Sequence, residues 1–196
     1  MFTKRSMLTG ALALVALTTV ALPEEASAKH KRRKRKKKPF RLARKYKPQM
    51  VRFRGYNPGT IVVDPRNHYL YLVETRSRAR RYGVGVGKAG LTFQGTAVIR
   101  RKAEWPSWTP TKNMIRRDPD KYAKYADGVP GGPGNPLGAR ALYLYKGERD
   151  TYFRIHGTTQ PWSIGRSVSN GCIRMLNTHV KDLYERVPLG SPVVVL

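Results

Sequence analysis

Tyr152-Phe153-Arg154-Ile155-His156-Gly157-Thr158 and, ten intervening residues later, Ser169-Asn170-Gly171-Cys172-Ile173-Arg174 hold the two side chains around which the chain is organised. Cys172 is the single cysteine of 196 residues, so it is a free thiol, half of an intermolecular bridge, or a nucleophile. It follows Ser-Asn-Gly, a turn sequence that exposes the next residue, whereas a buried structural cysteine is flanked by apolar residues. His156 lies sixteen residues upstream, at the end of a run of β-formers that predicts a strand entering a turn at Gly157. The attacking species of a cysteine is its thiolate, and an imidazole within hydrogen-bond reach takes the thiol proton and returns it to a leaving amine. The backbone N–H groups of Gly171 and Cys172 are candidates for an oxyanion hole. Spacing alone leaves a plain unreactive thiol open beside this reading.

The wider string narrows the choice. Ile155-His156-Gly157-Thr158, Pro161-Trp162-Ser163-Ile164-Gly165 and Ser167-Val168-Ser169-Asn170-Gly171-Cys172-Ile173-Arg174-Met175 together closely resemble the catalytic signature of the L,D-transpeptidases with a YkuD-type domain. The resemblance covers about residues 57–196 and implies Cys172 as nucleophile, His156 as its base and the Gly157 carbonyl as the group that orients the imidazole. It maps the motif arginine to Arg174, which would hold substrate carboxylates or brace the cysteine loop, and puts Gly171, Asn170, Ser169 and Trp162 on the substrate and oxyanion side. Members of that family cut a peptidoglycan stem tetrapeptide before its D-alanine, hold the acyl group as a thioester, and pass it to an amine to make a 3-3 cross-link. No cofactor, nucleotide or metal is implied. Many members carry histidine where this chain has Asn170, which leaves His156 as the motif's base.

The start of the chain speaks of export. Lys4 and Arg5, an apolar run from Met7 to Leu22, and Ala26-Ser27-Ala28 have the layout of a secretory signal peptide, with cleavage expected after Ala28. The alternative is an uncleaved anchor, but the run is shorter than the roughly twenty residues a membrane span needs. An exported protein in the periplasm or cell envelope follows. Residues 29–54 then carry 15 Lys or Arg and no acid, including eight consecutive basic residues from Lys31 to Lys38. Such a block repels itself and is expected to be disordered, so residues 29–55 are read as a basic segment ahead of a catalytic domain at 56–196. Alone it would read as a nucleic-acid arm. Export argues against a nucleic-acid partner and leaves an electrostatic tether to anionic envelope surfaces, or a solvated linker. Residues 55–196 remain basic, with 22 Lys or Arg against 10 Asp or Glu, which suits the carboxylates of peptidoglycan stem peptides.

The organised part reads as mainly β, and the family's β-sandwich-like catalytic fold agrees with that reading. Thr60–Asp64 and Tyr69–Val73 flank a turn at residues 65–68 and predict a hairpin that places His68 in the turn. Gly85-Val86-Gly87-Lys88-Ala89-Gly90 matches the dinucleotide string G-x-G-x-x-G, but Leu91–Thr96 predicts a turn into another strand where that fingerprint needs a helix. Residues 104–138, rich in Pro and Gly, form a long loop that walls or lids a site, with Trp105 and Trp108 either stacking on substrate or pinning the loop. Arg140–Tyr145 and Thr151–Ile155 predict two strands that deliver His156. Asn177 or Thr178 would cap a short helix carrying Val180, Leu183, Tyr184 and Val187 on one face, with His179 at its surface, before a closing strand at Pro192–Leu196.

Alternative outcomes of the same chemistry are an envelope protein as acyl acceptor, which would anchor it to the wall, or water, which would make an L,D-carboxypeptidase. A non-catalytic basic wall- or membrane-binding module is the reading without chemistry.

Overall fold

The computed structural model describes residues 40–89, 91 and 93–196. The expected signal peptide and the Lys31–Lys38 block lie outside the described residues, as do Gly90 and Thr92. Among the described residues the strands are β1 (Gln49–Arg52), β2 (Ile61–Asp64), β3 (Tyr69–Thr75), β4 (Arg78–Gly83), β5 (Val86–Gly87), β6 (Gly95–Glu104), β7 (Arg140–Lys146), β8 (Arg149–His156), β9 (Ser167–Ser169), β10 (Ile173–Arg174) and β11 (Pro192–Val195). The helices are α1 (Lys112–Arg117), α2 (Pro119–Tyr122) and α3 (Asn177–Arg186). The protein is mainly β. Nine strands form one sheet in the order β1-β4-β3-β2-β11-β6-β7-β8-β10, and β5 pairs with β9 in a short parallel ladder.

The hairpin of β2 and β3 forms because Ile61-Val62-Val63 is buried on both faces while Asp64 ties the turn. Its carboxylate accepts from the Asn67 backbone N–H at 3.0 Å and from Asn67 Nδ2 at 2.7 Å. The next residue, His68, takes φ 59°, and its Nε2 lies 3.0 Å from Ser167 Oγ.

Val84 and Gly85 carry the chain from β4, second from one end of the sheet, to β10 at the other end. There the Gly85 N–H donates to Arg174 O at 2.9 Å, and the Arg174 N–H donates to Gly85 O at 2.7 Å. The sheet therefore bends back on itself, and its inner face encloses one core of Ile61, Leu70, Tyr82, Ile99, Leu142, Leu144, Ile155, Ile173 and Val193. Each fully buried aliphatic side chain of that core contributes about 1.5–3 kcal/mol. Helix α3 adds Val180 and Leu183, with Val187 just beyond it, and Lys102 Nζ donates to the carbonyls of Tyr184 and Val187 at 2.6 and 2.7 Å, capping its C-terminal end.

Three expectations are corrected. The basic segment is not disordered up to residue 55: Arg44–Tyr46 form a 3-10 turn and β1 pairs antiparallel with β4, Gln49 opposite Arg81 and Arg52 opposite Arg78. Backbone pairing and a Phe53–Tyr71 ring stack at 4.3 Å outweigh the charge, which points to solvent. Asn177 does not cap α3, which starts at that residue after Leu176, because its Oδ1 instead accepts the N–H groups of Ala139 and Thr158, each at 3.1 Å. His179 is buried beside the Tyr82 ring, at 6.1 Å, where the helix packs on the sheet.

The loop region 105–138 is irregular apart from α1, α2 and a 3-10 turn at Ala123–Tyr125. Trp108 packs edge-on against Tyr122 at 6.3 Å and Tyr125 at 5.9 Å, so it pins the loop to itself, whereas Trp105 is exposed. No helix among the described residues is long and apolar enough to cross a membrane.

Candidate active site

Strand β8 alternates: Phe153 and Ile155 face the core, and Arg154 and His156 face the other way. Strand β10 runs parallel beside it, Ile173 opposite Ile155 and Arg174 opposite His156. Ile173 and Met175 are core residues, so Cys172 and Arg174 share the face of Arg154 and His156. Cys172 is two residues before the partner of His156, an offset that separates Cα atoms by about 8 Å, from about 3.3 Å per residue and about 4.8 Å between strands. The thiol and the imidazole thus occupy one face of one parallel pair.

The imidazole is fixed. His156 is buried, its Nδ1–H donates to Gly157 O at 2.6 Å, and the Leu137 carbonyl also lies within hydrogen-bond reach of the ring; with the proton on Nδ1, Nε2 is the acceptor. Burial, and then the charge of Arg174, push its pKa down to about 3, so the ring is neutral at physiological pH. Behind it the His156 carbonyl accepts from the Met175 N–H at 2.8 Å, and the Gly157 N–H donates to Arg140 O at 3.0 Å.

The thiol is held from β8. Between the pairs Tyr143–Arg154 and Tyr145–Asp150 the register slips, and β8 bulges at Tyr152. Tyr152 takes φ 61°, a conformation stabilised by its N–H donating to Asp150 Oδ1 at 2.7 Å. The Tyr152 carbonyl is the acceptor for Cys172 Sγ at 3.8 Å. Half-buried Cys172 has its thiol pKa raised by burial, against the Arg154 N–H and the charges of Arg154 and Arg174. The resting site therefore holds a neutral thiol and a neutral imidazole on one face of the strand pair, within reach of two guanidinium groups. Arg154 is tied to Asp150 by two contacts at 3.2 and 2.9 Å, and Arg174 donates to Gln160 Oε1 at 3.0 Å.

The turn before the cysteine is cross-braced. Ser169 Oγ donates to Cys172 O at 2.6 Å and accepts from the Gly171 N–H at 3.1 Å. That bond turns the Gly171 N–H inward, so of the expected oxyanion pair the Cys172 N–H is the one that remains a candidate. Gly171 sits at φ 122°, and a Cβ there would lie 2.5 Å from the Phe153 ring and 2.6 Å from the Leu91 carbonyl oxygen, so only glycine fits. Asn170 Nδ2 donates to Tyr122 Oη at 2.7 Å and so joins the turn to the long loop. Trp162 stands exposed on the 3-10 turn Pro161–Ser163, between the histidine and the cysteine in sequence.

Sequence reasoning missed Tyr122, Gln160, Arg154 and Asp150. Arg154 was readable as the alternate-position neighbour of His156 on a strand. Tyr122 and Gln160 sit in irregular segments, where no period announces a facing partner. Among the described residues no group of three His, Cys, Asp or Glu could hold a metal ion.

The family model of the YkuD L,D-transpeptidase catalytic domain matches residues 58–195. The chain belongs to that family. This family member is 38% identical over 143 residues to a protein of Escherichia coli (strain K12) named probable L,D-transpeptidase ErfK/SrfK, a match covering 69% of this chain and 43% of that protein. The chain thus spans less than half the length of that curated relative. A crystal structure from Brucella melitensis, described as a probable carnitine operon oxidoreductase caia, is 62% identical with a TM-score of 0.55, covering 79% of this chain and 96% of that one. The oxidoreductase name is that protein's own. In this L,D-transpeptidase family member the Gly85-Val86-Gly87 string lies in an extended segment containing β5, and among the described residues from 88 to 104 no helix follows it. L,D-transpeptidase 3 from Mycobacterium tuberculosis shares the fold at 16% identity and a TM-score of 0.51, over 70% of this chain and 60% of that one.

Proposed function

We propose that the protein is an exported L,D-transpeptidase that acts on peptidoglycan stem tetrapeptides through Cys172. The observation that carries this reading is the shared face of β8 and β10, with His156 Nδ1 committed to the Gly157 carbonyl and Nε2 left as the proton acceptor. Cys172 Sγ attacks the carbonyl carbon of the third stem residue while His156 Nε2 takes the thiol proton. The tetrahedral oxyanion gathers its negative charge near the Cys172 N–H, with the Arg174 and Arg154 cations close by. Collapse breaks the amide to D-alanine, whose nitrogen receives the proton from His156, and leaves a thioester on Cys172. An amine of a neighbouring stem then attacks the thioester, gives its proton through His156, and departs joined to the acyl group as a 3-3 cross-link. Because both resting groups are neutral, the thiolate forms only as the substrate carbonyl arrives.

Basic residues along the domain and the 29–54 segment support capture of anionic envelope surfaces and stem carboxylates in the periplasm or envelope. The test is incubation of the protein, without residues 1–28, with purified disaccharide tetrapeptide. Released D-alanine with dimers supports transpeptidation. Released D-alanine with tripeptide alone means water is the acceptor, and attachment to an envelope protein means wall anchoring. No released D-alanine, or a carbapenem mass adduct on the Cys172→Ala protein, overturns the assignment.

A further inference from the structure

We propose that Tyr46 is a positioning residue for the Cys172 turn, so that the segment Arg44–Arg52, which precedes the family domain, belongs to the working catalytic unit. The inference rests on Cys172 being the nucleophile. The ring of Tyr46 lies against two glycine backbones. A Cβ added to Gly83 would stand 2.8 Å from Tyr46 Cγ and Cδ1, and one added to Gly165 would stand 2.5 Å from its Cζ and 2.6 Å from its Oη. The base of the side chain therefore sits on Gly83 and its hydroxyl end on Gly165, where φ 80° also favours glycine.

These two glycines are the roots of one zipper. Gly83 leads into residues 84–88 and Gly165 into 166–169, and the two runs are joined by Gly165 N–H to Val84 O at 2.9 Å, Val86 N–H to Arg166 O at 3.0 Å and Lys88 N–H to Ser169 O at 3.1 Å. Ser169 in turn holds the Cys172 carbonyl, and Gly85 holds both backbone groups of Arg174. Residues 84–88 thus grip the Cys172 turn on both sides, and Tyr46 clamps the point where grip and turn converge. The clamp is itself anchored by the pairing of β1 with β4 and by the Tyr69 ring at 5.7 Å. Tyr46 is half-buried and stands outside the core cluster, so shortening it leaves the core packing of the sheet in place.

The experiment uses the full chain as wild type, Tyr46→Phe and Tyr46→Ala. Cys172 alkylation by iodoacetamide is followed by intact mass across a pH series, beside carbapenem acylation at saturating concentration and a urea unfolding curve. With the clamp removed, water reaches the sulfur, so Tyr46→Ala alkylates faster at neutral pH with its profile moved to lower pH. Acylation meanwhile slows by about tenfold or more because the turn no longer holds the sulfur in line, and Tyr46→Phe behaves as wild type. Alkylation and acylation both unchanged, or changes in both that merely scale with the unfolded fraction read from the urea curve, overturn the proposal. If Tyr46→Ala does not fold, Tyr46→Leu is measured with the same two outcomes deciding. Absence of acylation in wild type with the alkylation shift intact would remove the enzymatic reading and keep the clamp.

Discussion

His156 ties the stability of the fold to pH in a way that can be worked from its surroundings. The folded imidazole stays neutral down to about pH 3, because burial and Arg174 oppose its charge, whereas an unfolded histidine takes its proton near 6.5. Between those two values the unfolded chain binds a proton that the folded chain refuses. The contribution is therefore fully present above about pH 6.5 and is lost as pH falls towards 3. At pH 5 the unfolded group is about 1.5 pH units past its midpoint, which at about 1.36 kcal/mol per unit costs about 2 kcal/mol relative to pH 7. His68 and His179 are lowered too, chiefly by burial, and add to the same slope. Comparison with His156→Gln isolates the one residue. Urea unfolding at pH 7 and pH 5 should show wild type losing about 2 kcal/mol more than the variant on acidification. Equal losses in the two proteins would mean that the imidazole is solvated, and the neutral resting pair inferred for the site would go with it.

Further expectations are local. Lys102→Met removes the ammonium that caps the Tyr184 and Val187 carbonyls and should cost about 1–2 kcal/mol, lowering Tm by about 3–6 °C in calorimetry. Gly171→Ala drives a methyl into the Leu91 carbonyl and the Phe153 ring, so it should abolish carbapenem acylation and destabilise by at least about 2 kcal/mol in urea. Asn170→Ala cuts the 2.7 Å bond to Tyr122 and should speed amide exchange within residues 105–138 while lowering global stability by no more than about 1 kcal/mol.

Much of the candidate site's layout was legible because its elements are local. The β-formers of Tyr152–Ile155 announce a strand, Ser-Asn-Gly announces a turn, and a lone cysteine after that turn invites a reactive reading. The hairpin at residues 61–75 and the strands around Lys146–Arg149 were readable for the same reason. What escaped depends on who faces whom. Asn177 stands where a cap is expected, yet its carbonyl oxygen is claimed by two backbone N–H groups, one of them 38 residues away in sequence. Tyr46 lies in a segment whose charge predicts disorder, and only the coincidence of two distant glycines gives its ring a seat. His179 occupies a polar stretch of α3, and the turn of the helix rather than composition buries it.

Strand β1 ends the nine-stranded sheet, while at the opposite end the two-residue β10 is met by Gly85. A terminal strand with unpaired backbone groups invites another copy of the molecule to add on, and here that strand is flanked by Lys47 and Pro48 and ends in Arg52 opposite Arg78. Mutual repulsion of these cations keeps two copies from stacking edge to edge. Concentrated salt screens that repulsion, so this margin's resistance to edge-to-edge pairing falls as ionic strength rises.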